Sequence, residues 1–248
     1  MGLAVHITAL VLIIVAYFVA HVPLTASMSW VSSVAIVGFA VPTLLAVYRA
    51  KPHKNVLVVL GLLAVFALGI EATSIVTGFP YSRFTYGDMI GGRVGGLVPW
   101  TVPFAWVPLV IGVRARISGC QNPLIAAAGA GVYLMFVDVL LDPAAVILGF
   151  WKYTQGSVYY NVPFQNFAGW ILTGTMAAWL WKRTFTVNFA TNLTATLFLT
   201  CIFWSAVCAF KAMWVPALTG MCLVVDVTIW SHLQSIKSVK SAMQTLRP

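Results

Sequence analysis

Apolar runs of roughly twenty residues dominate the chain, and most end where glycine, proline or a basic residue enters. A helix needs about that many residues to cross a hydrocarbon core roughly 30 Å thick. Such runs recur at about residues 3–20, 29–48, 55–77, 97–113, 123–141, 165–181, 187–208 and 213–232, which predicts eight helices. Lone strands cannot satisfy their backbone groups in lipid, and the runs lack the short alternation of a membrane barrel. The expected fold class is therefore all-α, a polytopic membrane helical bundle forming a single domain over residues 1–248. Around Lys211 one bent helix would replace two, giving seven. The first run has no basic segment before it and is too long for a signal sequence, so it is kept as a spanning helix.

The polar gaps between these runs are unequal. Ten of the fourteen basic residues fall in the connections after the second, fourth and sixth helices and in the C-terminal tail: Arg49, Lys51, Lys54, Arg114, Arg116, Lys182, Arg183, Lys237, Lys240 and Arg247. Arg83, Arg93, Lys152 and Lys211 fall on the other side. Basic residues accumulate in cytoplasmic loops, so this partition puts both termini in the cytoplasm of a multi-pass protein of the cell membrane. Two connections on the non-cytoplasmic side, residues 78–96 and 142–164, are long and rich in aromatic residues. Long connections in compact proteins are functional or disordered, and aromatic content favours packing over the helix ends as a lid or re-entrant cap.

Composition narrows the chemistry. The chain is 61% hydrophobic and 8% charged, against roughly a quarter charged in soluble domains. Its net charge of +9 therefore points to anionic lipid headgroups as partners and away from nucleic acid. Cys120, Cys201, Cys208 and Cys222 lack CxxC spacing and read as small buried hydrophobes. The four histidines are scattered, so no metal is expected.

Only five acids are present, Glu71, Asp88, Asp138, Asp142 and Asp226. An ionisable group within a membrane costs several kcal/mol unless it is paired or neutralised, which makes it a candidate for function. Glu71 and Asp138 lie about 24 and 22 Å along their helices, both running outward, and so reach a similar depth beneath the long loops. Asp142 shares a helix face with Asp138, and Pro143 is expected to end that helix. The plainer reading is that these acids bond neighbouring helices, pair with Arg83, Arg93 or Lys152, or cap helix ends. Three at one depth favour a shared site. Asp226 is read as structural, or as paired with Lys211 or His232.

Tyr81, Phe84, Tyr86, Trp100, Trp106, Trp151, Tyr159, Tyr160 and Trp170 gather at the same end. Belts of Trp and Tyr are common at interfaces, yet aromatic faces also stabilise cations in dry pockets. A protonated carboxylic acid beside aromatic walls is what protonation of an alkene requires. Asn161 and Asn166 offer neutral groups to hold a water or orient an acid. Pro99, Pro103 and Pro108 are expected to distort the fourth helix and open space for a long ligand.

These residues resemble the CruF-type carotenoid hydratases, the family of γ-carotene 1′-hydratase and bisanhydrobacterioruberin hydratase. The resemblance runs from about Glu71 to Trp170. It rests on Glu71 with Gly78-Phe79-Pro80-Tyr81 and Tyr86, Val98-Pro99-Trp100 to Pro103 and Trp106, Asp138 with Asp142-Pro143, and Trp151, Tyr159-Tyr160, Val162-Pro163, Asn166 and Gly169-Trp170. It implies hydration of the terminal C1=C2 bond of an acyclic carotenoid without redox cofactor or metal, with other carotenoid biosynthesis enzymes as candidate partners. It further implies Asp138 or Glu71 as proton donor, and Asp142 and Asn166 orienting water. Tyr81, Tyr86, Trp100, Trp106, Trp151, Tyr160, Asn161 and Trp170 would then contact the substrate. A membrane terpene cyclase would use the same acid chemistry with an internal nucleophile, and a transporter or pigment-binding scaffold would use similar residues without turnover.

Overall fold

The computed structural model describes residues 2–50, 55–182 and 191–245. These form eight α-helices: α1 Leu3–His21, α2 Ser29–Arg49, α3 Asn55–Thr77, α4 Val102–Arg116, α5 Pro123–Ile147, α6 Phe164–Lys182, α7 Ala195–Phe210 and α8 Trp214–Thr245. Among the described residues, six helical segments are long and apolar enough to cross a membrane, those of α1, α2, α3, α5, α7 and α8. The protein is an all-α membrane bundle. Lys51, Lys54, Arg183 and Arg247, part of the charge partition, and the start of the expected seventh helix lie outside the described residues.

The bundle is layered by burial. In α4 every residue from Trp106 to Ala115 is buried, and α7 is buried along most of its length. A helix that is hydrophobic all round belongs inside a large bundle. In contrast, α1 and α2 expose bulky apolar side chains such as Leu10, Phe18 and Val34, as a face covered by lipid does.

Several boundaries differ from those expected, each for a local reason. The fourth helix starts at Val102 because Val98–Pro99 forms strand β3, paired antiparallel with β2 Arg93–Val94. Pro99 is thus outside the helix and Pro103 is in its first turn, where proline lacks no needed donor; only Pro108 interrupts it. The fifth helix passes through Pro143 to Ile147. Proline at 143 leaves the carbonyl of Val139 without its helical donor, and the Tyr159 hydroxyl fills that place at 2.9 Å. The eighth helix continues well past residue 232, since neither glycine nor proline follows before Pro248. At Lys211 the chain turns, with Ala212 in the left-handed region at φ 55°, so two helices stand where one bent helix was the alternative.

The two long connections meet. Strand β1, Phe84–Tyr86, pairs antiparallel with β4, Trp151–Tyr153, in the register Phe84↔Tyr153, Thr85↔Lys152 and Tyr86↔Trp151. Side chains alternate across a strand, so the four aromatics share one face while Thr85 and Lys152 share the other, which is exposed. This ribbon caps the ends of α3 and α5. Arg93 fastens it to the β2–β3 hairpin, donating to the Tyr86 carbonyl at 2.7 Å and to Asp88 at 3.0 Å.

Candidate active site

Asn166, in the first turn of α6, joins two acids of α5. Its side-chain amide donates to Asp138 Oδ2 at 2.5 Å and to Asp142 Oδ2 at 2.6 Å. All three residues are 1% exposed. The spacing of four places both carboxyls on one face of α5, so a single amide reaches both with its two hydrogens. Asp142 receives two further bonds from the ribbon, Trp151 Nε1 to Oδ1 at 2.5 Å and the Tyr153 hydroxyl to Oδ2 at 2.7 Å. Three donors thus converge on Asp142, while Asp138 receives one, and its Oδ1 receives none among the described residues.

Glu71 approaches from α3. The Tyr86 hydroxyl donates to its Oε2 at 3.0 Å, and the Tyr86 ring meets Trp151 edge-to-face at 6.0 Å. The cross-strand pair Tyr86↔Trp151 therefore bridges Glu71 and Asp142, so that acids from two separate helices are spanned by adjacent ribbon residues. Burial pushes the phenols of Tyr86 and Tyr153 well above their ordinary pKa, and the neighbouring carboxylates add to the shift. Both phenols accordingly remain protonated and donate across the physiological range.

Behind the acids runs a line of rings. Tyr81 faces Trp170 at 6.3 Å, Trp170 faces Trp106 at 6.4 Å, and Trp106 faces Phe66 at 5.8 Å. Tyr81 is held by a 2.8 Å hydrogen bond between its hydroxyl and Thr173. Its ring lies so close to Gly169 that a Cβ there would sit 2.6 Å from Tyr81 Cδ1, so glycine is required at that position.

A family model described as "Carotenoid biosynthesis protein" matches residues 10–227. The chain belongs to that family. A protein named bisanhydrobacterioruberin hydratase from Haloarcula japonica is 36% identical over 123 residues, which cover 48% of this chain and 42% of that protein. The match therefore spans less than half the length of that relative. No solved structure matches the chain.

In this member of the carotenoid biosynthesis family, the fold joins the Glu71–Tyr86 bond to the bonded set Trp151, Asp142, Asn166 and Asp138 through the Tyr86–Trp151 ring contact, with Tyr81, Trp170 and Trp106 in the ring line beside it. It leaves two of the expected contacts outside. Trp100 is 43% exposed at the end of the hairpin and packs on Phe104. Asn161 is exposed in a turn at φ 63°, a left-handed position that asparagine tolerates. Tyr160 is half-buried against Tyr159, one residue from the Val139 plug.

Asp226 pairs with neither Lys211 nor His232. It takes a two-pronged bond from Arg116 of α4, at 2.8 and 2.5 Å, and a third from Tyr133 of α5 at 3.0 Å. Arginine presents two parallel donors to a carboxylate, which lysine cannot do. Among the described residues, Glu71, Asp138 and Asp142 form no ion pair with Arg83, Arg93 or Lys152; Arg93 bridges Asp88 instead. Sequence reasoning missed Tyr153 and Thr173. The alternation Trp151-Lys152-Tyr153 was the available signal for the first, since it marks a strand with two aromatics on one face.

Proposed function

We propose that this protein hydrates the terminal C1=C2 bond of an acyclic carotenoid end group. The observation that carries the reading is the Asn166 amide shared by two buried carboxyls beneath an aromatic ribbon that saturates Asp142 with donors. Asp142, fixed by three donors, is the negative partner of a developing carbocation. Asp138, with one donor, is the acid whose free oxygen carries the proton.

The reaction balances with these groups alone. Asp138 transfers its proton to C2, leaving a tertiary cation at C1 that faces the aromatic rings. Water adds to C1, and the proton it loses passes to the Glu71 carboxylate, which the Tyr86 hydroxyl orients. Return of that proton from Glu71 to Asp138 restores both carboxyls and closes the cycle, and the sum is alkene plus water to tertiary alcohol. The family membership and the name of the Haloarcula japonica relative support the same reading.

Expression in a host that accumulates an acyclic carotenoid, followed by mass analysis of the pigment, tests it. A gain of one water mass per reacted end is expected, and loss of that gain in Asp138→Asn. An isomer of unchanged mass would make the protein a cyclase, and unaltered pigment would overturn the enzymatic reading.

A further inference from the structure

A furrow of about 490 Å³ opens on the lipid side of the bundle, and none of the acids lines it. That is within the roughly 300–1,000 Å³ of small-molecule sites. Its walls include Phe66 of α3, Leu124 and Ala127 of α5, and Met176, Trp179 and Leu180 of α6. The polar side chain in the lining, Thr175, turns its hydroxyl back onto the Ile171 carbonyl at 2.7 Å, so it presents a methyl group. The furrow is therefore apolar in chemistry as well as in composition.

Its origin lies in the contact between α5 and α6. A Cβ built on Gly174 would lie 3.1 Å from Gly131 Cα, and one on Gly131 would collide with the backbone of α6. Small residues at such a crossing let helices touch closely, and the larger residues on either side then stand up as walls. Ala127 and Ala177 extend the small-residue floor.

The furrow is aligned with the acids along the helices. Phe66 lies five residues before Glu71, about 8 Å along its helix, while Leu124 lies fourteen before Asp138 and Leu180 fourteen after Asn166, each about 21 Å away. The furrow thus starts roughly 8 Å below the carboxyls and ends about 21 Å below them, most of the way across a core roughly 30 Å thick. Phe66 is at once its wall and the last member of the ring line Tyr81–Trp170–Trp106–Phe66.

We infer that this furrow between α3, α5 and α6 binds the polyene stem of the substrate, holding it parallel to the helices so that only its terminal isoprene unit reaches the acids. This rests on the carotenoid reading of the site and adds to it the direction from which the substrate arrives and the part of it the protein grips. Because Leu124, Met176 and Trp179 on its walls are exposed, a long hydrocarbon enters sideways from the bilayer without leaving it. The far end group, beyond Leu124 and Leu180, remains in lipid. The site therefore reads the reacting end and the stem, and it accepts different distal ends.

The test separates binding from turnover. Binding of an acyclic C40 polyene to the purified full-length protein is followed by quenching of tryptophan fluorescence, for wild type, Asp138→Asn, Ala127→Phe, Met176→Trp and Leu218→Trp. Met176 is 50% exposed, so its replacement tests the furrow even where a larger residue at buried Ala127 prevents folding; Leu218, 64% exposed on α8, controls for a tryptophan added to a lipid-facing surface. Furrow variants are expected to weaken binding at least about tenfold, while Asp138→Asn and Leu218→Trp bind within about twofold of wild type. Wild-type affinity in every furrow variant that folds, or an equal loss in Leu218→Trp, overturns the furrow. If wild type binds polyene through the furrow but adds no water, the hydratase reading fails and the furrow stands.

Discussion

Replacing Tyr153 with phenylalanine removes one oxygen from the site. The phenol gives Asp142 Oδ2 its 2.7 Å bond, while the ring packs on Phe84 at 5.7 Å, so Tyr153→Phe keeps the ring contact and the pairing of β1 with β4. Asp142 still receives Trp151 and Asn166. A hydrogen bond to a charged group contributes about 1.5–3 kcal/mol, and with two donors left the lower part of that range applies, about 1.5–2 kcal/mol. If the charge on Asp142 is used in the transition state, the rate falls roughly 10–30-fold. The assay is the initial rate of hydroxylated pigment formation in isolated membranes, normalised to folded protein. In an Asp142→Asn background the same substitution should cost less than about threefold, because no full charge remains to be held. A single variant within about twofold of wild type, or equal losses in the two backgrounds, refutes the assignment of Asp142 as the charged group beneath the ribbon.

Three further outcomes are expected. Asp138→Asn should lower hydration by about a hundredfold or more, the usual contribution of a positioned general acid, while bound pigment still co-purifies; pigment loss in parallel with activity would make Asp138 a structural residue. Arg116→Ala should lower stability by only about 0.5–1 kcal/mol, since the pair with Asp226 is roughly a third exposed and screened, and should leave the hydration rate unchanged; melting in detergent measures the first and the pigment assay the second. We further propose that both termini face the cytoplasm, as the basic residues suggest, so a cysteine at Val158, 96% exposed on the lid side, should react with a membrane-impermeant maleimide in intact cells, whereas protection there would invert the topology.

The parts of the molecule that were readable in sequence are those governed by one-dimensional pattern. Twenty-residue apolar runs mark spans because the bilayer sets a length, and the spacing of Asp138 and Asp142 marks a shared face because 3.6 residues make a turn. What was not readable depends on partners far away in the chain. Pro143 predicts a helix end on local grounds, and only the Tyr159 hydroxyl, from the following loop, allows α5 to continue. The same holds for Asp226, whose partner Arg116 is 110 residues distant while Lys211 and His232 were nearer in sequence. Trp100 and Asn161 suit the site by residue type and neighbourhood, yet side-chain direction at a hairpin end or a left-handed turn is set by backbone geometry that composition does not carry.

The ribbon explains why both long connections are needed. A carboxyl on α3 and two on α5 cannot be bridged by one loop, because a single strand presents alternate residues to one face and has no partner to fix its register. Pairing β1 with β4 supplies that partner, and places Tyr86 beside Trp151 so that each reaches the acid of its own helix neighbour. The price of this arrangement is sensitivity to register. A slip of one residue would turn Thr85 or Lys152 inward, remove donors from Glu71 or Asp142, and bring an ammonium toward the place of the proposed carbocation. Such a change would leave the eight helices intact, which separates the requirements for folding from those for the proposed chemistry: the bundle depends on spans and small-residue crossings, whereas the site depends on three residues in each of two strands.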